Sequence, residues 1–258
     1  MISGYVPVNG VDLYYEEHGS GDPIVLLHGA LGTIDSCFAA LLPRLAARRR
    51  VIAVELQGHG HTADIDRPLT YPQMSEDAAA LAEAMDLGPA DFVGYSMGGA
   101  VGLGVAIRHP HLVRRVVAAG GTAYSPEGLY PELMEGEAEP EDLAGSPWEL
   151  AYARVAPDPD AWPGLVKKIT ELDQGYTGFT PEEVRSISAP VLLIIGDSDL
   201  VRPEHTVEMF RLLGGGVFGD MVGMPDSQLA VLPGTSHVGM LERTDWLGSM
   251  ILGFLDPQ

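Results

Sequence analysis

The sequence predicts an α/β protein in which a mainly parallel, twisted sheet carries helices on both faces. Short continuous apolar runs, as expected of strands buried on both faces, recur along the chain. Segments with helical spacing of apolar residues separate them, and this alternation predicts a mainly parallel sheet. The apolar runs are residues 23–27, 51–54, 91–93, 113–118, 191–195 and 229–232.

A hairpin precedes the first of these runs. Asn9-Gly10, a strong signal for a two-residue turn, lies between Tyr5–Val8 and Val11–Tyr15. Because Pro7 has no N–H to donate to a neighbouring strand, it confines the first strand to a sheet edge.

Local signals also predict the helices. Residues 34–48 have apolar side chains at helical spacing, and Pro43 predicts a kink or a break among them. Thr70 and the proline two positions later predict the start of a helix that runs to about Met85. The helix after Ser96 is rich in glycine and alanine. Because each interior glycine costs roughly 1 kcal/mol relative to alanine, we expect this helix to lie very close to the sheet.

The alternation of strands and helices fails between residues 122 and 188, where proline, glycine, glutamate and aromatic residues become frequent. We predict that residues 122–188 form a cap inserted into a core of residues 1–121 and 189–258, and that this cap packs over the carboxyl edge of the sheet. The acidic residues from Glu132 to Asp142 are expected to form a mobile, solvated face.

Apolar side chains in this insertion can line an acyl or alcohol pocket, or form a small core of the insertion itself. We expect a minority of them to face the substrate. The residues concerned are Tyr124, Tyr130, Met134, Trp148, Tyr152, Trp162, Tyr176 and Phe179. A second unusual segment, residues 213–228, is longer than a helix-to-strand loop needs, and we expect it to border the site.

Composition restricts the classes of partner. The chain has 258 residues and a formal charge of −21, which argues against nucleic acid and anionic membranes and mildly favours neutral or cationic small molecules. The single cysteine, Cys37, is consistent with a reducing compartment. No apolar run is long enough to span a bilayer, so we expect a cytoplasmic protein.

A glycine-flanked serine marks the candidate site. Gly94-Tyr95-Ser96-Met97-Gly98 follows one predicted strand and opens the glycine-rich helix. Such a turn is sharp and strained, and it holds the serine hydroxyl at the sheet edge in front of a helix N-terminus. The five residues alone are weak evidence, because a glycine-rich turn with an incidental serine has the same sequence.

Two further strand ends carry the groups that would activate a serine. One predicted strand ends in Gly196-Asp197-Ser198-Asp199, and the last ends in Pro233–His237. Because the carboxyl ends of parallel strands meet at one sheet edge, the histidine and an aspartate can approach Ser96 there. A nucleophilic serine needs a base of this kind and a third group that orients it.

These motifs together resemble the α/β-hydrolase fold superfamily, and a serine esterase-like member of it. They are Leu26–Gly29, Gly58–Gly60, Gly94–Gly99, Gly196–Pro203 and Pro233–His237, in the order Ser, Asp, His. The resemblance implies that Ser96 is the nucleophile, His237 the general base and Asp199 the orienting acid. Asp197 is the alternative acid, and otherwise caps a loop.

The resemblance also implies an oxyanion site made of backbone N–H groups, and no cofactor. No cluster of histidine and carboxylate residues has the spacing of metal ligands, so we expect no metal. One donor is expected at Met97; the other is expected at Ala30, with Leu31 as an alternative. The implied reaction is hydrolysis of a small neutral or apolar carboxylic ester through an acyl-enzyme. Carbon–carbon bond hydrolases, lactonases and cofactor-free haloperoxidases share the triad and stay open, and a non-catalytic ligand receptor is a more distant alternative.

The remaining polar residues have structural interpretations. His28 and His59 are expected to brace loops by hydrogen bonding, and Glu55 is expected to be structural. Cys37 and Phe38 are interpreted as helix packing. We expect the other histidines on loops and helix ends to face solvent; they are His61, His109, His111 and His205.

Overall fold

The computed structural model describes residues 1–134 and 139–256 and contains one mixed sheet of eight strands within those ranges. The strands are β1 (Ile2–Val8), β2 (Val11–His18), β3 (Pro23–Leu27), β4 (Arg50–Glu55), β5 (Ala90–Tyr95), β6 (Val113–Ala119), β7 (Val191–Ser198) and β8 (Gln228–Ser236). Their spatial order is β1-β2-β4-β3-β5-β6-β7-β8. The strands from β4 to β8 in this order are parallel, which confirms the predicted sheet.

Helices connect the strands and flank the sheet. The α-helices are α1 (Ile34–Phe38), α2 (Leu42–Ala46), α3 (Tyr71–Ala84), α4 (Met97–Arg108), α5 (Pro131–Met134), α6 (Pro147–Val155), α7 (Trp162–Gln174), α8 (Pro181–Ser186), α9 (Pro203–Leu212), α10 (Gly219–Val222) and α11 (Thr244–Leu255). Short 3₁₀ helices lie at Pro110–Leu112, Pro126–Gly128, Pro140–Leu143, Pro159–Ala161 and Val238–Glu242. No helix in the described part of the chain is long and apolar enough to cross a membrane.

The predicted hairpin is present at one edge of the sheet. Strands β1 and β2 pair in antiparallel register from Ile2 opposite Glu17 to Val8 opposite Val11. The two turn residues both have positive φ, 47° at Asn9 and 86° at Gly10, as a type I′ turn requires. Pro7 therefore lies on the edge strand, as predicted.

A separate apolar core covers each face of the sheet. In β3, Val25 and Leu27 belong to the core that includes side chains of α3 and α4, whereas Ile24 and Leu26 face the core that includes side chains of α1, α2 and α11. Successive strand residues point to opposite faces, so a strand buried on both faces has to be apolar throughout.

The predicted helix over residues 34–48 is broken into α1 and α2. Thr33 begins α1 with a capping box, in which its Oγ1 accepts from the Ser36 N–H. The break precedes Pro43, which lies in the first turn of α2, where a missing N–H is tolerated. The predicted start of α3 is confirmed as well, since Thr70 Oγ1 accepts from the Gln73 N–H.

Helix α4 packs closely against its neighbours, as its glycine content predicts. A Cβ atom built on Gly98 would overlap the Leu27 carbonyl oxygen of β3. A Cβ atom on Gly104 would overlap the hydroxyl of Ser75 in α3. The small side chains of α4 therefore bring the start of the helix against the carboxyl end of the central strands.

Residues 122–188, between β6 and β7, carry α5 to α8 and contact the sheet-bearing part at several points. Lys168 Nζ in α7 donates to Asp64 Oδ2 at 2.6 Å and to the carbonyl oxygens of Ile65 and Arg67 at 2.8 and 2.9 Å. Part of the acidic run, residues 135–138, lies outside the described residues, while Glu132, Glu139, Glu141 and Asp142 are exposed.

The prediction for residues 213–228 is wrong. This connection, which includes α10, ends where β8 begins at Gln228, opposite Leu192 near the start of β7. It therefore lies at the amino edge of the parallel strands, whereas the candidate site is at their carboxyl edge. Most of its apolar side chains are exposed to solvent instead, including Phe218 (67%) and Met224 (83%).

Candidate active site

Ser96 lies at a strained turn between β5 and α4. Its φ of 54° is unusual for a residue with a side chain, and it directly precedes the first helical residue, Met97. A Cβ atom on Gly94 would overlap the backbone of Gly98. Both glycines of the motif are thus required by the close approach of backbone to backbone, which holds Ser96 at the carboxyl edge of the sheet.

Ser96, His237 and Asp199 form one hydrogen-bonded chain, although they come from the ends of three different strands. Ser96 Oγ lies 3.0 Å from His237 Nε2, and His237 Nδ1 lies 2.7 Å from Asp199 Oδ1. Asp199 is buried, with 5% of its surface exposed, while Ser96 and His237 are half-buried. The geometry can transfer a proton from the hydroxyl to the imidazole.

The two aspartates after β7 have different partners. Asp199 also accepts from the N–H groups of Gly196 (3.2 Å) and Leu200 (2.8 Å), which fix its carboxylate next to the imidazole. Asp197 is exposed and accepts from the N–H groups of Gly234 (2.8 Å) and Thr235 (3.1 Å). These bonds lower the pKa of Asp197. Asp197 thus caps the loop that leads to His237, and Asp199 contacts the histidine itself.

Tyr95 supports the histidine in a way that the motif does not indicate. Its hydroxyl donates to the His237 carbonyl oxygen at 2.9 Å, and its ring stacks on the imidazole with a centroid separation of 5.2 Å. Burial raises the pKa of Tyr95, so the hydroxyl stays protonated as a donor. Tyr95 occupies the variable position before Ser96, where the sequence pattern contains no signal for this contact.

Two backbone N–H groups beside Ser96 are free to bind an anion. Those of Ala30 and Met97 donate to no other group among the residues that the structure describes, and both residues line the same cavity as Ser96. The alternative donor, Leu31, uses its N–H at 3.2 Å from His59 Nε2. The geometry therefore favours Ala30 over Leu31 as the partner of Met97.

His28 and His59 brace the loop that carries Ala30. His28 Nε2 accepts from the Leu56 N–H at 3.0 Å, and His59 Nε2 accepts from the Leu31 N–H. Both rings are fully buried, and burial lowers the pKa of His28 to about 3 and that of His59 to about 4. These contacts confirm the prediction that both histidines brace loops by hydrogen bonding.

Glu55 is also structural, as expected. Its carboxylate accepts from the Ile34 N–H at 3.0 Å and from the His61 N–H at 2.6 Å. In addition, His61 Nδ1 lies 2.8 Å from Glu55 Oε2. Glu55 thereby joins the start of α1 to the loop after β4.

A cavity of about 420 Å³ lies over Ser96 and His237. Its wall is mainly apolar and includes Leu129, Leu143, Trp148, Val166, Ile169 and Leu241. Of the aromatic residues proposed from the sequence, Trp148 and Tyr176 line this cavity, while Tyr152 and Trp162 pack against each other with ring centroids 5.4 Å apart. Tyr130 is exposed, and the side chain of Met134 lies outside the described residues.

His205 does not face solvent, so that prediction is wrong. Only 6% of its surface is exposed; its ring stacks on Tyr124 at 4.2 Å, and its Nε2 accepts from the Tyr124 N–H at 3.2 Å. Burial lowers the pKa of His205. It joins α9 to the start of the insertion, a contact between distant segments that local sequence does not indicate. His61 and His109 are half-buried, and His111 is exposed.

Asp173, which lines the cavity from α7, has no signal in the sequence that would single it out. Burial raises the pKa of its carboxyl group to about 6. Asp173 lies in a segment without a recognisable motif, and only the periodicity of α7 relates it to other cavity residues.

Within the described ranges, no group of three or more histidine, cysteine, aspartate or glutamate side chains could hold a metal ion.

Comparison with known proteins identifies the family. The model of the alpha/beta hydrolase family matches residues 24–248. The chain belongs to this family. It is therefore an enzyme of the α/β-hydrolase superfamily, and its fold of a mainly parallel sheet with helices on both faces is the fold of that superfamily.

Relatives with different reactions resemble this α/β hydrolase over nearly its whole length. The 2-hydroxy-6-oxo-6-(2'-aminophenyl)hexa-2,4-dienoic acid hydrolase of Metapseudomonas resinovorans is 28% identical over 275 residues, covering 98% of this chain and 91% of that protein. The non-heme haloperoxidase of Rhodococcus erythropolis is 27% identical over 282 residues, covering 96% and 97%. The structure of a serine hydrolase involved in carbazole degradation superposes with a TM-score of 0.77 at 27% identity and covers 98% of both chains.

Proposed function

We propose that this α/β hydrolase cleaves carboxylic esters through an acyl-enzyme, with Ser96 as nucleophile, His237 as general base and acid, and Asp199 as the orienting carboxylate. The observation that carries the proposal is the hydrogen-bonded chain from Ser96 Oγ through His237 to Asp199, 3.0 and 2.7 Å long in its two links. The free N–H groups of Ala30 and Met97 beside it supply a site for the developing oxyanion.

In the first half-reaction, Ser96 Oγ attacks the ester carbonyl carbon while its proton passes to His237 Nε2. Asp199 accepts from Nδ1–H, which keeps Nε2 available as the base and stabilises the imidazolium that forms. The carbonyl oxygen becomes an oxyanion and accepts from the N–H groups of Ala30 and Met97. The proton on Nε2 then passes to the departing alcohol oxygen, and the acyl group stays on Ser96.

In the second half-reaction, water replaces the alcohol. His237 Nε2 takes a proton from the water, whose oxygen attacks the acyl carbonyl carbon, and the same two N–H groups bind the second oxyanion. Collapse of this intermediate returns the proton from Nε2 to Ser96 Oγ and releases the carboxylic acid. None of these steps calls on a cofactor.

The wall of the cavity favours an ester substrate that carries no carboxylate group. It argues against a dienoic acid, the kind of substrate that appears in the name of one relative. No lysine or arginine lines the cavity among the described residues, so an acid substrate would lack a cationic partner there. Most of the wall is apolar, and residues 122–188 contribute a large part of it. We propose that residues 122–188 form a cap over the site. We also propose that the protein is cytoplasmic.

A fluorophosphonate probe tests the reaction class. The probe is expected to label the wild-type protein at Ser96, because only an activated serine attacks phosphorus readily, and Ser96→Ala is expected to abolish labelling. Hydrolysis of short p-nitrophenyl esters should fall by about 10³-fold or more in kcat/KM in the same variant.

A matched control is Ser198→Ala, because Ser198 is exposed, lies on the same sheet edge and hydrogen-bonds through its hydroxyl only to Asp197 among the described residues. Its labelling and hydrolysis should equal those of the wild type. Absence of labelling in the wild type would refute the serine hydrolase, whereas labelling without ester hydrolysis would transfer the proposal to carbon–carbon bond, lactone or haloperoxidase substrates.

A further inference from the structure

Asp173 projects from α7 into the cavity that contains Ser96. The cavity-lining residues of this helix are Val166, Ile169, Thr170, Asp173 and Gln174, a spacing that places them on one face. The first two are apolar and the last three are polar. The cavity therefore has an apolar wall that becomes polar toward the C-terminal end of α7.

The carboxylate of Asp173 has no hydrogen bond or ion pair to any described residue. Its side chain is exposed to the open space of the cavity, but protein surrounds it on most sides, and this burial raises its pKa to about 6. Since no lysine or arginine of the described chain lines this cavity, the charge of Asp173 is not compensated inside it. An unpaired carboxylate in such a place is stabilised by a cationic ligand.

Two tyrosine rings line the same cavity as this carboxylate. Tyr71 and Tyr176 both line the cavity and meet edge to face with centroids 5.2 Å apart. The negative charge of Asp173 adds to the effect of burial in raising the pKa of Tyr71. Tyr176 is held in place because its hydroxyl donates to the Ala123 carbonyl oxygen at 2.5 Å. Aromatic faces next to a carboxylate are a favourable environment for an alkylammonium group.

We propose that Asp173, with Tyr71 and Tyr176, binds an ammonium group of the substrate, so that the enzyme acts on esters that carry a protonated or quaternary amine. The substrate class rests on the proposed ester hydrolysis at Ser96, but the binding site itself does not. The apolar part of the cavity takes the hydrocarbon portion between the ammonium group and the ester.

Binding can be measured without any catalysis. Isothermal titration calorimetry compares n-alkylammonium ions, from butyl to decyl, with n-alkanols of the same length on the wild-type protein. A charge-assisted contact predicts that the best ammonium ion binds at least about tenfold more tightly than its alkanol. Asp173→Asn should remove most of this preference, and Asp173→Ser serves the same purpose if the first variant is not folded.

Glu171→Gln is the matched control, because it removes one negative charge from the same helix without touching this cavity. Glu171 is exposed and paired with Lys167. The Glu171→Gln variant should prefer ammonium ions over alkanols by the same factor as the wild type. An equal loss in both variants would mean that the overall charge of −21 attracts the cations, and would overturn the proposal. Equal affinities for ammonium ions and alkanols in the wild type would overturn it as well.

A kinetic comparison connects the site to the reaction. Butyrylcholine and 3,3-dimethylbutyl butyrate have nearly the same shape, but only the first is charged. The wild type should have the higher kcat/KM for the charged ester by about tenfold, and Asp173→Asn should reduce that ratio toward one. If the wild type hydrolyses the neutral ester and shows no preference for the charged one, the ammonium site is contradicted but the ester hydrolase is not. If it hydrolyses neither ester but still binds alkylammonium ions, the proposed function is contradicted but the ammonium site is not.

Discussion

Asp197 and Asp199 lie two positions apart after β7, yet they have separate roles in the structure. Asp199 contacts the imidazole of His237, and Asp197 caps the loop that positions the same histidine. The residues after β7 leave both carboxylates open as the acid, and the resemblance to the family motif favours Asp199 over Asp197. The structure agrees with that choice, since of these two carboxylates only that of Asp199 hydrogen-bonds to the imidazole among the described residues.

We expect Asp199→Asn to lower kcat by about 10³- to 10⁴-fold, because the amide no longer holds the imidazole in the correct tautomer or stabilises the imidazolium. Asp197→Asn should lower kcat by less than about tenfold, since its amide oxygen can still accept from one of the loop N–H groups. Steady-state hydrolysis of a p-nitrophenyl ester measures both. Comparable losses in the two variants, or a larger loss in Asp197→Asn, would contradict the assignment of the acid.

At the scale of elements, the start of α4 determines where Ser96 lies. Gly98 approaches the Leu27 carbonyl oxygen so closely that a side chain has no room. Four residues further along the same helix, a Cβ atom on Gly102 would lie 3.5 Å from Phe92 Cβ, an ordinary van der Waals contact. The two glycines look alike in the sequence, but only the first is required by packing.

Gly98→Ala should therefore lower the free energy of unfolding by about 2 kcal/mol or more and reduce activity, because α4 must move away from β3 and carry Ser96 with it. Gly102→Ala should leave the free energy of unfolding unchanged or raise it by up to about 1 kcal/mol, since alanine favours the helix. Urea denaturation of the two variants, with ester hydrolysis at low urea, measures the difference. A stable, active Gly98→Ala protein would contradict the close packing.

The elements differ in how far their sequence predicts them. The buried strands were predictable because a short, continuous apolar run bounded by turn residues is typical of a strand covered on both faces. The Ser96 and His237 loops were predictable because their residues lie where such strands end. Asp173 and His205 were not predictable, because only the tertiary structure places Asp173 in the cavity with Tyr71 and brings His205 against Tyr124. The misplacement of residues 213–228 has a similar cause: loop length does not indicate which edge of the sheet a loop borders.

At the scale of the whole molecule, buried neutral histidines make stability dependent on pH. His28 and His59 have folded-state pKa values of about 3 and about 4, below the ordinary 6.5. As the pH falls below about 6.5, the unfolded chain binds protons that the folded chain cannot, so the free energy of unfolding decreases. Each histidine contributes about 1.4 kcal/mol per pH unit until the pH reaches its folded-state pKa.

His59→Gln should make this loss of stability shallower by about 1.4 kcal/mol per pH unit between about pH 6.5 and pH 4. Glutamine can still accept from the Leu31 N–H but takes up no proton in this range. Chemical denaturation at several pH values measures the two slopes. The raised pKa of Asp173 changes stability in the opposite direction, but Asp173 is present in both the wild type and the variant and does not affect the comparison. Equal slopes of unfolding free energy against pH in the two proteins would refute the role of His59.

The candidate triad combines partners from distant parts of the chain, with Ser96 and His237 separated by 141 positions. The turn at Ser96 is held by β3, β5 and α4, all within the first half of the chain, whereas the base arrives on β8, the outermost strand of the parallel part. The three groups meet only when this long-range pairing has formed, and long-range pairing is slow because the chain entropy of the intervening segment must be lost first. Recovery of activity after denaturation therefore requires the pairing of β8 with β7.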